Sequence, residues 1–283
     1  MTLYAKSRAD AMEAIGASLL ELARLEAIFS LHQPDSTLAK LNTAGFVDEP
    51  PLELVELLSE AQNLARRSNG LFDPTIQPLW EAVARHFSTN PLSEPDAALF
   101  QDARALVDYR LLSVSPARVS LDRPGMQVTL NGIAQGYISD KVATLLKERG
   151  FGHALINLGE AVATGPTSQG SAWELAVPNP QDRSKTLARI PLSGGAVATS
   201  SGAGLIFDRQ GRFTHILHPS LVTGVPLDRS VTVLAPSASL ADGLSTLATL
   251  AGPDDADLQD MIRSAGARAF FASHAGREVR WIA

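Results

Sequence analysis

Early in the chain, apolar residues recur with a helical period; later they alternate as strands do, so helices and sheet must share one fold. Met12, Ile15, Leu19, Leu22, Leu25, Ile28 and Phe29 predict an amphipathic helix from Asp10 to Phe29. Leu54, Leu57, Leu58 and Leu64 predict a second from Pro51 to Arg67, closed near Asn69-Gly70, and a shorter one is expected over 94–106. The character then changes. Arg118 to Leu130 alternates like strands, and Gln135 to Arg149 reads as a helix closed by Gly150. Further strands are expected at His153–Thr164, Trp173–Val177, Ala188–Leu192, Ala196–Thr199, Arg212–Leu217, Ser230–Ala235 and Ala267–Ala272. Helices are expected at Leu240–Leu250 and Asp254–Ser264. This order implies an α+β fold: one compact body with lobes, spanning residues 1–283 as a single domain.

Charge and cysteine content narrow the function. A formal net charge of −6 opposes binding to nucleic-acid phosphates, and no run of like charge suggests a membrane patch. The chain has no cysteine, which removes disulfides, thiolate metal sites and thiol nucleophiles. No apolar run has the length to span a bilayer, and the first ten residues lack an apolar signal core or a lipobox cysteine.

Four segments carry more Gly, Asp, Thr, Asn and His than packing requires. In Phe29–Ser36, Pro34-Asp35-Ser36 reads as a turn followed by a helix N-cap. In Ser68–Trp80, Asp73-Pro74-Thr75 is a turn, and the string beside Trp80 could equally wall a flat ring. Thr129 to Asp140 passes through Gly132 and Gly136 into a helix start. Those glycines let backbone approach a phosphate, or serve packing alone. The fourth segment is split between Thr199–Gly202, Thr214–Gly224 and Ala241–Thr246. Asp242 and Thr246 stand four apart on one helix face, an oxygen pair that suits Mg²⁺ completed by waters and substrate phosphates. Asp242 is equally explained as an early-helix charge favoured by the dipole. His86 and His274 lie in polar stretches and are expected at the surface, and His153 begins a strand. No histidine pair has zinc-site spacing.

The order of the segments resembles the ApbE-type FAD:protein FMN transferases. FSLHQPDSTLAKLN, NGLFDPTIQPLW, LNGIAQGYISDKVATLLKERG, INLGE, GAVATSSG, THILHP with TG, and SVTVLAPSASLADGLSTLATLAG carry the likeness from about Asp10 to Gly252. NGIAQGY and NLGE are most similar to a proteobacterial branch linked to nitrous-oxide reduction. The resemblance implies a two-lobed, T-fold-related α+β body with mixed or antiparallel sheets flanked by helices, FAD in a cleft, and Mg²⁺. It also implies a Thr or Ser in a flavinylation motif of an electron-transport protein as acceptor. By position, His32, Leu71, Phe72, Asp73, Thr129, Gln135 and Ile216 match cofactor-binding residues. Gly132, Asp242, Ser245 and Thr246 match the metal site, and His215 with Asp242 the catalytic positions.

The chain departs from the family pattern in three places. Gln135 stands where Lys is common, and His218 replaces the usual Asp of an HxxDP string. The numbering also begins inside the expected first strand, without the family's Met-Gly-Thr segment. The expectation is a shortened or leaderless form of a periplasmic protein, or a cytoplasmic one if Met1 is the natural start. Because of the HILHPS segment, with Ser220 to Val222 also altered, and the absent first strand, an FAD-binding or FAD-hydrolysing relative and a non-enzymatic assembly factor stand as alternatives to the transferase.

Overall fold

A computed structural model describes residues 1–93, 95, 97–180, 182, 184–272 and 279–282. The strands are β1 (Thr2–Leu3), β2 (Phe46–Asp48), β3 (Leu112–Val114), β4 (Arg118–Leu121), β5 (Ala154–Asn157), β6 (Ala161–Ala163), β7 (Trp173–Pro178), β8 (Thr186–Leu192), β9 (Gly195–Ser201), β10 (Ser230–Ala235), β11 (Arg268–Ala272) and β12 (Val279–Ile282). The helices are α1 (Arg8–Phe29), α2 (Thr37–Ala44), α3 (Leu52–Arg67), α4 (Gln77–Thr89), α5 (Gln101–Arg104), α6 (Ala134–Glu148), α7 (Ala238–Ala251) and α8 (Ala256–Ser264).

Seven strands form an antiparallel sheet in the order β1-β5-β6-β9-β10-β11-β12. Helices α6 and α7 pack against it, and α1 packs on α6. Its other face is covered by the β7–β8 hairpin, where Trp173, Val177, Ile190 and Leu192 meet Ala163, Val197 and Phe270. The β2-β4-β3 sheet stands apart. A smaller apolar cluster joins Leu79, Val83 and Phe87 of α4 to Phe213, Leu217 and Val222, and this is the second lobe.

The local signals explain most elements. Ser7 Oγ caps α1 by accepting from Asp10 N at 3.1 Å, and Ser36 Oγ caps α2 by accepting from Ala39 N at 3.0 Å. Each such cap contributes about 1 kcal/mol. Helix α3 closes as expected, with Gly70 at φ 80° donating its N–H to Ala65 O.

Elsewhere the structure corrects the sequence reading. The strand expected to run to Leu130 stops at Leu121, and Pro124-Gly125 turns the chain away. Residues 122–133 then cross the body without a sheet partner. Asn42 supplies the missing pairing, its side-chain amide bonding both N and O of Val128 at 2.7 and 2.8 Å. Arg212–Leu217 is not a strand; only isolated bridges, Ile206 to Thr214 and Leu217 to Gly224, mark it. Helices α2 and α4 lie where no full helix was assigned; Pro78 in the first turn of α4 is the local signal. Over 94–106 a 3₁₀ turn at Ala97–Phe100 leads into α5, and residues 94 and 96 are outside the described set. Met12 and Leu19 are exposed, because the buried stripe of α1 runs instead through Ala14, Ser18, Leu25, Ile28 and Phe29. His86 is half-buried with its ring against Phe87 and Phe100, not at the surface; His274 lies outside the described residues.

The crossing of α6 and α7 places the functional residues. Asp140 of α6 accepts from Ala238 N and Ser239 N at 2.8 and 2.9 Å, filling the first turn of α7. Gly136 allows the close approach, since a Cβ there would overlap the Ala238 carbonyl. Gly136→Ala should therefore cost roughly 3 kcal/mol or more. Gly16→Ala, in α1 with open space around it, should be neutral or stabilise by about 0.5–1 kcal/mol. Urea unfolding of the two variants measures both effects.

Candidate active site

Between the sheet with its α6–α7 crossing and the α4 lobe lies a cavity of about 720 Å³. Leu71, Phe72, Asp73, Thr129, Gly132, Gln135, His215, Ile216, Asp242 and Thr246 all line it. Residues from four distant stretches of sequence thus share one wall. Two expected site residues stand elsewhere. His32 is exposed in the loop after α1, its backbone N–H bonded to Ser30 Oγ, and does not line the cavity. Ser245 is buried one layer behind, with Oγ bonded to Ser200 Oγ at 2.7 Å and to Asp242 O at 3.0 Å.

The floor is built from α6 and α7. Asp242 is 4% exposed, and its Oδ2 accepts from Gly136 N at 3.0 Å. Thr246, one turn on, brings Oγ1 to 3.5 Å from Gly132 O and 3.3 Å from Ser200 Oγ. A Cβ at Gly132 would be tight, 3.2 Å from both the Phe72 and Thr246 side chains. The Thr246 hydroxyl and the Gly132 carbonyl are neighbours and the Asp242 carboxylate lines the same floor one turn earlier on α7, hard oxygens of the kind that suit Mg²⁺ or Mn²⁺. The start of α6 is less available to phosphate than its glycines suggest, since the Gly136 N–H is committed to Asp242 and the Ala134 N–H to Leu130 O.

Asp73 proves to be a builder of the wall. Its Oδ1 accepts from Thr75 N and Thr75 Oγ1 at 2.8 and 2.7 Å, and Oδ2 accepts from Tyr109 N at 3.1 Å. Burial nonetheless holds its carboxyl above the usual range. The bonded turn fixes Leu71 and Phe72 at the cavity edge. Trp80 on α4 completes that edge and donates Nε1–H to His215 O at 3.1 Å.

His215 is fastened twice to one neighbour. Its N–H donates to Leu205 O at 2.9 Å, and its Nδ1 accepts from Leu205 N at 3.2 Å. Burial holds the imidazole pKa below the usual value, so the neutral ring prevails at pH 7. With Nδ1 accepting, the proton of that neutral ring sits on Nε2. His215 is thereby a hydrogen-bond donor toward the cavity.

His218, which departs from the family string, is not in the cavity wall. Its Nδ1 accepts from Ser220 N and Leu221 N at 3.1 and 3.2 Å, the bonds a short carboxylate would make in the same turn. Burial lowers its pKa as well.

One residue of the quoted strings was given no role by the sequence and gains one from its surroundings. Glu160 follows a tight loop at Gly159 (φ 119°) between β5 and β6, lines the cavity and is 7% exposed. A backbone hydrogen bond from Thr199 reaches its carboxylate, yet Oε2 has no partner among the described residues. Burial first, and then the charge of Asp242, hold the Glu160 carboxyl well above its usual range; burial does the same to Asp242. No lysine or arginine is among the described lining residues. Gln135 donates Nε2–H to Leu158 O at 3.4 Å and packs over Gly159, bracing that loop.

An α+β body with a cavity of this size, part apolar and part polar in its lining, has the form of a small-ligand site. The ApbE family pattern matches residues 1–271, and the chain belongs to that family. It is similar to the FAD:protein FMN transferase of Klebsiella pneumoniae, 29% identical over 84% of this chain and 71% of that protein. The same-named protein of Salmonella typhimurium is 27% identical over 88% and 73%. Among solved structures, the apo flavinyl transferase ApbE of Pseudomonas stutzeri superposes with a TM-score of 0.80 at 28% identity, covering 96% of this chain and 85% of that one. The ApbE protein of Thermotoga maritima gives 0.83 at 27%, covering 95% and 88%.

The depressed histidines set a pH dependence. Groups that stay neutral in the fold but protonate when unfolded contribute stability that is complete above their unfolded pKa of about 6.5 and lost as pH falls through the folded value. That contribution should shrink as pH falls below about 6.5, while the raised carboxyls of Glu160 and Asp242 act in the opposite sense, so thermal unfolding is read as the difference between wild type and a histidine variant. His218→Asp, which keeps the turn acceptor, should reduce the part of that loss due to His218. An unchanged acid limb in that variant would show that His218 does not contribute to it.

Proposed function

We propose that this chain is an FAD:protein FMN transferase, moving FMN from FAD to a Thr or Ser hydroxyl of an electron-transport protein with the aid of Mg²⁺. The observation that carries the reading is the convergence of Asp242, Gly132, Thr246 and His215 on one cavity large enough for a dinucleotide. The names and folds of the relatives support the same activity.

In the reaction, the acceptor oxygen bonds to the FMN phosphorus, the bridging P–O bond breaks, AMP leaves, and the hydroxyl proton is lost to a base or solvent. Asp242, Thr246 Oγ1 and Gly132 O would hold the divalent ion, which when bound supplies countercharge to the diphosphate. The protein residues do the placing. Phe72, Leu71 and Ile216 offer apolar surface to a flat ring. The Nε2–H of His215 suits a hydrogen bond to a phosphate oxygen as charge builds there. The Asp73 turn keeps Phe72 against Gly132, so the ring wall and the cation floor stay in register.

The activity is tested by mixing the protein with FAD, Mg²⁺ and a Thr-bearing acceptor domain and reading in-gel flavin fluorescence. Labelled acceptor with release of AMP is expected. AMP and FMN without labelled acceptor would point instead to a hydrolase. Asp242→Ala should abolish turnover, and His215→Ala should lower kcat by about 10²–10³. Full activity in Asp242→Ala would remove the proposed cation floor.

A further inference from the structure

We propose that Glu160 is a second carboxylate of the cation site, facing the bound ion directly or through one water. The inference rests on the reading of Asp242, Gly132 and Thr246 as that site. It starts from an anomaly. A carboxylate buried to 93% with one oxygen unpartnered incurs a large desolvation cost that the fold does not offset. Without a bound cation such a group is held in its protonated form, and a cation bound against the open oxygen would favour the charged carboxylate.

Three observations indicate what that is. First, Glu160 and Asp242 are both buried acids lining the same cavity, and the charge of Asp242 adds to burial in raising the Glu160 carboxyl. Second, no described lysine or arginine lines the wall, leaving two acids facing the space where a dinucleotide's phosphates must sit. Ionised, these two acids would repel a diphosphate unless a cation lay between them. Third, the loop that carries Glu160 is held in place: Gly159 takes φ 119°, Leu158 N donates to Glu160 O, and Gln135 braces the turn through Leu158 O. The carboxylate is thus delivered by backbone geometry. Glu160 contributes the second negative charge, and Gln135, where the family often has Lys, places no competing cation beside it.

The test uses the full chain and Mn²⁺ as probe, with free Mn²⁺ read by electron paramagnetic resonance and FAD binding read separately in EDTA by calorimetry. Asp242→Asn should abolish the wild-type Mn²⁺ site. Glu160→Gln, of nearly the same shape, should weaken Mn²⁺ binding at least about tenfold, while FAD affinity in EDTA stays equal or rises. Glu160→Asp, which withdraws the charge by one methylene, should fall between Glu160→Gln and wild type. Should Glu160→Gln fold poorly, Glu160→Asp decides alone: weaker Mn²⁺ binding with FAD affinity kept supports the proposal, and unchanged Mn²⁺ binding overturns it. Mn²⁺ binding lost in Asp242→Asn but intact in Glu160→Gln would overturn the proposal and leave the cation floor standing. Reduced FAD affinity in EDTA with Mn²⁺ binding intact would make Glu160 a contact of FAD instead. A wild-type protein with no Asp242-dependent Mn²⁺ site would overturn both readings.

Discussion

Where α6 passes over the start of α7, two acids do opposite work. Asp140 gives both carboxylate oxygens to the first N–H groups of α7, satisfying donors that would otherwise be orphaned. Asp242, one turn further along α7, accepts a single N–H from Gly136 and keeps capacity toward the cavity. The crossing is close only because Gly136 has no side chain. The proposed cation floor depends on that contact, since it sets Asp242 and Thr246 of α7 beside the backbone from Gly132 to Gly136 that opens α6. The site was not added to a finished fold; the packing of two helices creates it.

The second lobe supplies what the crossing cannot. Trp80 on α4 bonds the backbone of His215, and Leu205 holds its ring nitrogen, so the imidazole reaches the cavity in a fixed tautomer. The turn at Asp73 and Thr75, tied to Asp108 N and Tyr109 N, keeps Phe72 leaning on Gly132. Each of these residues acts through backbone hydrogen bonds. Asp242 and Thr246 on the floor, the Nε2–H of His215 and the open oxygen of Glu160 keep polar capacity at the cavity.

Much of this was legible in the chain. The four-residue spacing of Asp242 and Thr246 states a shared helix face, and the Gly-rich run before α6 states a close approach. Both are local properties. The identity of what approaches Gly136 depends on Ala238, about a hundred residues away, and no local pattern announces it. The same distance hid Glu160, whose meaning comes from an orphaned oxygen and a neighbouring charge. Residues 122–130 read as a strand because they alternate, yet the partner they pair with is the side chain of Asn42. His218 looked like damage to a catalytic string. In the fold its ring nitrogen caps a turn, and its side chain is not among those lining the cavity.

The central claim is that a divalent ion and a flavin dinucleotide meet on the floor formed by Gly132, Asp242 and Thr246. Crystals grown with FAD and Mn²⁺, measured for manganese anomalous scattering, address it directly. The account predicts one anomalous peak within coordination distance of Asp242 Oδ, Thr246 Oγ1 and Gly132 O, with dinucleotide density continuing past Phe72. A peak elsewhere, or a flavin bound with that floor empty of metal, would contradict it.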